Sequence, residues 1–266
     1  MRTLADLKIP HRIEVKGRRA TIFVAPPHAP FARRQLARLE AEARESIARQ
    51  QHESPLAATW SSILVAGSLG LLYLLMVQAD TGKGPFYTAY GAMDRLIRSG
   101  EGYRCVTALL LHSTPAHLLG NVVALLLFGP FVCRHFGHGW GWLLVAISGV
   151  GGNYLNAWVR KAPQIIMGPH LSVGASTAVF GAVGILVAVN LHFRRGPGWR
   201  SWTPLAGGLG FLAFMGSAPG TDLLAHLFGF GVGLGIGALA APWDLPRRRA
   251  GFQQLAALAV MVMLVW

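Results

Sequence analysis

Polar and apolar positions divide the chain into a charged opening and a series of long apolar runs. In the opening, residues 1–54, Arg12-Ile13-Glu14-Val15-Lys16-Gly17 and Ala20-Thr21-Ile22-Phe23-Val24 predict a small hairpin that Pro26, Pro27 and Pro30 bring to an end. From Phe31 to Gln51 the period becomes helical, with Leu36, Leu39, Ala43 and Ile47 forming an apolar stripe on a charged helix. Such a stripe suits a bed of anionic headgroups or the flank of a membrane core, and a solvated accessory segment is the plainer account of the whole opening.

Seven apolar runs follow: Leu56 to Val77, Arg104 to Phe128, Trp140 to Trp158, Leu171 to His192, Trp202 to Ala218, Leu223 to Ala241 and Phe252 to Trp266. A helix needs about 20 residues to cross about 30 Å of hydrocarbon, so each run predicts a membrane span, the last short enough to require a thin bilayer or little tilt. Composition agrees. At 53% hydrophobic, 13% charged and a mean hydropathy of +0.43, the chain is too apolar for an ordinary soluble domain, and its 266 residues suffice for six or seven spans. No cleavable signal peptide is visible before Ser54, so the first span is expected to serve as the insertion signal.

A net charge of +13 would suggest a nucleic-acid partner in a soluble protein; here orientation explains it, and no nucleic acid is expected. Residues 1–54 carry eleven Lys or Arg against six acidic residues. With that end cytoplasmic, the inner segments hold eighteen basic residues and the outer ones six, so the N-terminus is assigned inside. Lys83 and Lys161 then lie outside, and Arg134 and Arg194 inside. With Cys105 opening the second span and Cys133 beyond its end, the two cysteines are expected on opposite sides of the membrane, which excludes a disulfide between them.

Candidate chemistry enters through polar residues inside apolar runs, where they are costly and usually functional. Ser176 stands in Val173-Gly174-Ala175-Ser176-Thr177-Ala178-Val179-Phe180-Gly181, His226 opens the sixth run, and His112, His117 and Asn121 lie near the start of the second. Given the orientation, Ser176 is expected about five residues into its span and His226 about three, both entered from outside, with His117 and Asn121 also in the outer half. His117 and Asn121, four apart, share a helix face on which both can donate to a developing oxyanion, supplemented by N–H groups at the start of the Ser176 helix. His112, five before His117, is expected to point elsewhere and tie down the outer loop. Pro115 is read as lying within the span, tolerated where neighbours satisfy the freed backbone.

Glycines give the packing. Gly229, Gly233 and Gly237 recur every four residues, as do Gly231 and Gly235, while Gly174, Ala178 and Ala182 repeat in the Ser176 span. Small residues at this interval let helix backbones approach closely, which can bring His226 to Ser176 as the base its hydroxyl needs. Beyond residue 54 the acidic residues are Asp80, Asp94, Glu101, Asp222 and Asp244, none deep in a span. Asp222, one turn before His226, is read as a surface carboxylate that anchors the helix, which leaves a Ser-His dyad. There is no His-Glu-x-x-His motif and no pair of intramembrane aspartates, and His135 and His138 are read as solvated side chains of an inner loop.

Taken together, His112-x4-His117-x3-Asn121, Gly174-Ala175-Ser176 and Ala225-His226 followed by Gly229 and Gly233 resemble the rhomboid family of intramembrane serine proteases, in the family order over about Glu101 to Ala241. The resemblance implies an all-α membrane protein, a bundle of six core transmembrane helices with an optional seventh. It also implies Ser176 as nucleophile, His226 as general base, His117, Asn121 and the Ser176 backbone as oxyanion hole, His112, Gly174, Phe180 and Gly229 in support, and no cofactor or metal. Substrates would be transmembrane proteins cut near the outer face. The expected organisation is a basic cytoplasmic segment over 1–54, a six-span catalytic core over 55–249 and a seventh helix over 250–266, in a bacterial inner membrane.

Three positions depart from the family pattern. Thr177 replaces the usual Gly after the serine, and its bulk is expected to tighten the helix contact; Phe180 stands where a Tyr often stacks on the histidine; Tyr103-Arg104 stands for a Trp-Arg pair. A non-proteolytic rhomboid-like protein that binds transmembrane clients is the alternative, and a transporter is a third. Retention of both Ser176 and His226 favours the enzyme.

Overall fold

The computed structural model describes residues 9–16, 19–52, 55–79, 84–160, 170–193, 206–211, 221–242 and 250–265. The chain divides into two compact units, Met1–Ser54 and Pro55–Trp266. In the first, strands β1 (His11–Lys16) and β2 (Arg19–Val24) pair antiparallel with Ile13 opposite Ile22, followed by the helix α1 (Ala29–His52). The hairpin and helix follow the sequence pattern, and Leu36 and Leu39 of the apolar stripe are exposed.

The second unit is helical. Its elements are α2 (Pro55–Ala79), α3 (Pro85–Tyr90), β3 (Ala92–Met93), α4 (Asp94–Arg98), α5 (Arg104–Thr107), α6 (Pro115–Phe136), α7 (His138–Val159), β4 (Leu171–Ser172), α8 (Ser176–Phe193), α9 (206–211), α10 (Leu223–Ala240) and α11 (Ala250–Val265). Among the described residues three helices are long and apolar enough to cross a membrane, Thr59–Val77, Pro115–Phe136 and Leu223–Ala240, and two shorter ones, Ser176–His192 and Ala250–Met263, are apolar throughout. Of the fifth expected span, Trp202 to Ala218, only 206–211 is described. Lys83, Lys161, Arg194 and the Arg247-Arg248-Arg249 connection lie outside the described residues.

The outer surface differs from that of a water-soluble bundle. Large apolar side chains face outward, among them Leu64, Leu71 and Leu74 on α2, Leu119 and Leu127 on α6, and Leu255 and Leu258 on α11. Ser62, Ser148, Asn153, Asn156 and Thr177 are buried instead. In a bilayer helices associate through close packing and hydrogen bonds, which these small and polar residues supply beside an apolar cluster that includes Leu125, Trp142, Val145 and Ile185. The unit is an integral multi-pass membrane protein.

The interior is built where α7, α8 and α10 meet backbone to backbone. Gly233 abuts the Gly181 carbonyl, and a Cβ on Gly237 would lie 2.8 Å from Ile185 Cα. From α7, a Cβ on Gly149 would lie 2.7 Å from the Ala178 Cβ, and one on Gly152 would lie 2.7 Å from Gly229 N. Among the described residues nothing lies within 4 Å of where a Cβ on Gly231 or Gly235 would stand, and both glycines are exposed, so the second series faces outward there.

The second span differs from its sequence reading. The helix starts at Pro115 and runs to Phe136, while Arg104–Thr107 and the 3-10 turn Ala108–Leu110 fold separately before it. Proline lacks an N–H and has its φ preset for a first helical position, so Pro115 starts the helix, with Thr114 Oγ1 capping it by accepting from His117 N at 3.1 Å. Leu109 and Leu111 are apolar because they are buried in the protein, not because they span. Both cysteines are free and buried, and Cys133 with Arg134 and His135 belongs to the last turns of α6, not to a loop. Only Gly137, at φ +80°, separates α6 from α7, and Gln253 of α11 closes this turn: its Nε2 donates to Phe136 O at 2.8 Å and its Oε1 accepts from Trp140 N at 3.1 Å. The helix α11 is thereby docked on the bundle.

Candidate active site

The approach to Ser176 is fixed by three backbone ties. Ala92 pairs with Ser172 and Met93 with Leu171 in the β3–β4 ladder, and Gly174 N donates to Ala108 O at 2.8 Å. Gly174 then turns the chain at φ +126°, a region that favours glycine. A Cβ there would lie 2.6 Å from His117 Nε2 and 3.5 Å from Asn121 Nδ2, so the bare Cα also makes room for both side chains. Gly174 therefore precedes the helix and is no part of its small-residue repeat. Ser176 is the first residue of α8, not five residues within a span, and stands where backbone N–H groups lack intrahelical partners.

His226, one turn into α10, brings Nε2 to 2.8 Å from Ser176 Oγ. With the ring proton on Nδ1, Nε2 accepts from the hydroxyl. The ring is only 5% exposed and lies against Phe180, ring centroids 4.6 Å apart with the planes tilted by 33°. Phe180 thus supplies the aromatic face without a hydroxyl.

Asn121 is buried, and its Nδ2 has no hydrogen-bond partner among the described residues. His117 holds Ser113 Oγ 3.3 Å from Nδ1, which leaves Nε2 directed at Gly174. His112 does not point away as its helical spacing implied, because it precedes the helix. Its ring meets His117 edge-on at 5.3 Å, its Nε2 accepts from Ala175 N at 3.4 Å, and its carbonyl accepts from Tyr87 Oη.

Thr177 is accommodated rather than crowded. It is 2% exposed, and its methyl sits where a Cβ on Gly152 (2.6 Å) or on Gly229 (2.9 Å) would fall. Two glycines on neighbouring helices leave the space the threonine fills.

Around the outer loop, Arg104 joins separate turns: Nε donates to Glu101 Oε2 at 2.7 Å and Nη1 to Thr88 O at 2.8 Å. Tyr103 Oη lies 3.0 Å from Glu101 Oε2 and 3.2 Å from Ala89 O, and its ring lies 5.4 Å from the Arg104 guanidinium carbon. Hydrogen bonds from Arg104 and then Tyr103 hold the Glu101 carboxyl below the usual carboxylate range.

Asp222 was read as a surface carboxylate, but its side chain is only 8% exposed. It caps α10 by accepting from Ala225 N at 3.2 Å and bonds Arg160, Asn156 and His170. No hydrogen bond from it to the His226 ring is present among the described residues. Asn156, Arg160 and His170 carried no motif in the sequence, and only the polarity of Asn156 within an apolar run and of Arg160 and His170 beside one could have marked them.

A serine hydroxyl with an imidazole acceptor, a buried amide donor and a helix N-terminus can support nucleophilic acyl transfer. Residues 99–243, more than half of the chain, match the family profile described as the Rhomboid domain. Rhomboid protease GluP of Bacillus subtilis (strain 168) is 29% identical over 178 residues, covering 63% of this chain and 33% of that protein. RHOMBOID-like protein 4 of Arabidopsis thaliana is 31% identical over 173 residues, 55% of this chain and 36% of that protein. RHOMBOID-like protein 9, chloroplastic, of the same plant is 43% identical over 96 residues, 36% of this chain and 20% of that protein. The matches cover about a third of the length of the first two relatives.

Proposed function

Since this chain belongs to the rhomboid family, we propose that it is an intramembrane serine protease that hydrolyses peptide bonds in or near transmembrane segments of membrane-protein substrates, with Ser176 as nucleophile and His226 as general base. The observation that carries this reading is the 2.8 Å approach of His226 Nε2 to Ser176 Oγ from a position fifty residues away. The hydroxyl oxygen attacks the scissile carbonyl carbon while its proton passes to Nε2. The oxyanion that forms takes hydrogen bonds from Asn121 Nδ2, His117 Nε2 and the Ser176 N–H. Nε2 then returns the proton to the departing amine, and water, deprotonated by the same base, releases the acyl group. Purified protein should cut a model transmembrane segment without added metal or nucleotide. Well-folded protein that leaves the segment intact would support the client-binding alternative instead.

The partnerless Asn121 amide supports its place in the oxyanion hole, since a buried unmet donor is unfavourable by about 1–3 kcal/mol until an acceptor arrives. Asn121→Ala should lower kcat about 10²-fold with little change in KM. A loss confined to KM would remove Asn121 from that role.

By the likeness to Rhomboid protease GluP of Bacillus subtilis (strain 168) we take the setting to be a bacterial inner membrane, and by the basic-residue asymmetry we place the N-terminus in the cytoplasm with the site open to the outer face. In a variant lacking Cys105 and Cys133, a cysteine at position 161 should react with an impermeant reagent in intact cells. Reaction only after permeabilisation would reverse the orientation.

A further inference from the structure

The carboxylate of Asp222 has all its acceptor positions in use. Oδ1 accepts from Arg160 Nη2 at 2.8 Å and from Ala225 N at 3.2 Å; Oδ2 accepts from Asn156 Nδ2 at 2.6 Å and lies 2.6 Å from His170 Nε2. Asn156 Oδ1 in turn accepts from Arg160 Nε at 3.2 Å, which fixes the guanidinium against the end of α7. Arg98 adds a second hold on that end through Arg160 O at 3.3 Å, and Asp94 N donates to His170 O at 3.3 Å.

These contacts join the starts of two helices. On one side Asp222 caps α10, its carbonyl accepts from His226 N at 3.1 Å, and the imidazole follows one turn on. On the other side His170 leads directly into β4, Gly174 and Ser176. A single carboxylate therefore ties the base-bearing helix to the strand that delivers the nucleophile, and to Arg160, which with His170 brackets residues 161–169.

We propose that Asp222 is a positioning residue for the Ser176–His226 pair, setting the distance between Nε2 and Oγ by holding the His226 helix to His170 and Arg160. It acts on the geometry and takes no proton, since its oxygens are committed to other partners. The inference rests on the protease reading above. Burial by itself would push the Asp222 carboxyl up, but the hydrogen bond and charge of His170, the Ala225 N–H and the Arg160 guanidinium outweigh it and hold the group well below the usual carboxylate range. The carboxylate is thus ionised at neutral pH, as a clasp on the side chains of Arg160, Asn156 and His170 requires.

The test uses the full chain in detergent with Asp222→Asn, which keeps an oxygen for the helix cap but cannot accept from all four donors. His170→Gln provides a second variant that removes one arm and leaves the cap untouched. Two readouts are taken: turnover of a model transmembrane segment, and the 15N resonance of His226 Nε2, which reports its hydrogen bond to Ser176 whether or not the protein cleaves. Misplaced reacting groups lose rate more than affinity, so each variant should lower kcat about tenfold with KM within about twofold. Each should also move the Nε2 resonance toward that of an unbonded imidazole. The double variant should be no worse than Asp222→Asn alone, because the arm is already broken. An Nε2 resonance identical to wild type in both variants would overturn the positioning role. If wild type itself does not cleave, the protease reading fails, and the resonance still decides for or against Asp222.

Discussion

Ser176→Ala is expected to bring cleavage of a transmembrane segment down to the uncatalysed background, because the attacking oxygen is gone. His226→Ala should fall by at least about 10³-fold, since the hydroxyl at 2.8 Å would lose its only proton acceptor in the proposed pair. Combining the two should add almost nothing, because nucleophile and base work as one unit. Both side chains sit at the first turns of their helices, and neither substitution changes a glycine at which α7, α8 and α10 meet, so both variants should keep the wild-type elution profile. Gel-based cleavage in detergent reads all three. Activity retained by pure Ser176→Ala protein would remove the serine mechanism.

Gly233→Val carries the largest expected effect on stability. A Cβ at this position would run into the backbone carbonyl of Gly181, and a Cβ 2.7 Å from Gly181 Cα leaves no side chain to move aside. The helices must separate, at a cost of about 3 kcal/mol or more. His226, two turns earlier on the same helix, would move with them, so activity should fall in parallel. Gly231→Val is the matched control: no described residue lies within 4 Å of where its Cβ would stand, and valine there should leave thermal unfolding in detergent almost unchanged. Equal losses from the two variants would mean that the α8–α10 contact is not the one described.

The sequence was legible where one residue type has one physical use. Polar groups in apolar runs marked Ser176, His226, His117 and Asn121, and the four-residue glycine interval marked the face of α10 that meets α8. Of the two interleaved series, only spatial neighbours could tell the packed one, Gly229, Gly233 and Gly237, from the outward one. The second span shows where hydropathy fails: Leu109 and Leu111 are as apolar as a spanning leucine, yet they line the protein interior ahead of Pro115. Proline was the better signal, because a first-turn proline and an interior proline leave the same trace in a hydropathy profile but not in hydrogen bonding. Thr177 illustrates a different limit. Its bulk reads as a clash until Gly152, from another helix, is known to lie opposite. Asp222 and Gln253 were illegible as contacts because each acts on residues more than fifty positions away, Asn156 and Arg160 for one, Phe136 and Trp140 for the other.

Covalent labelling reaches the central claim most directly. A serine-directed fluorophosphonate, incubated with purified wild-type protein and followed by peptide mass mapping, should form one adduct at Ser176, and His226→Ala should form it far more slowly. The reagent needs no transmembrane substrate, so the result reports the activated hydroxyl itself. An adduct on Ser176 that appears at wild-type rate in His226→Ala protein, or folded and cleaving protein with no adduct at Ser176, would contradict the dyad.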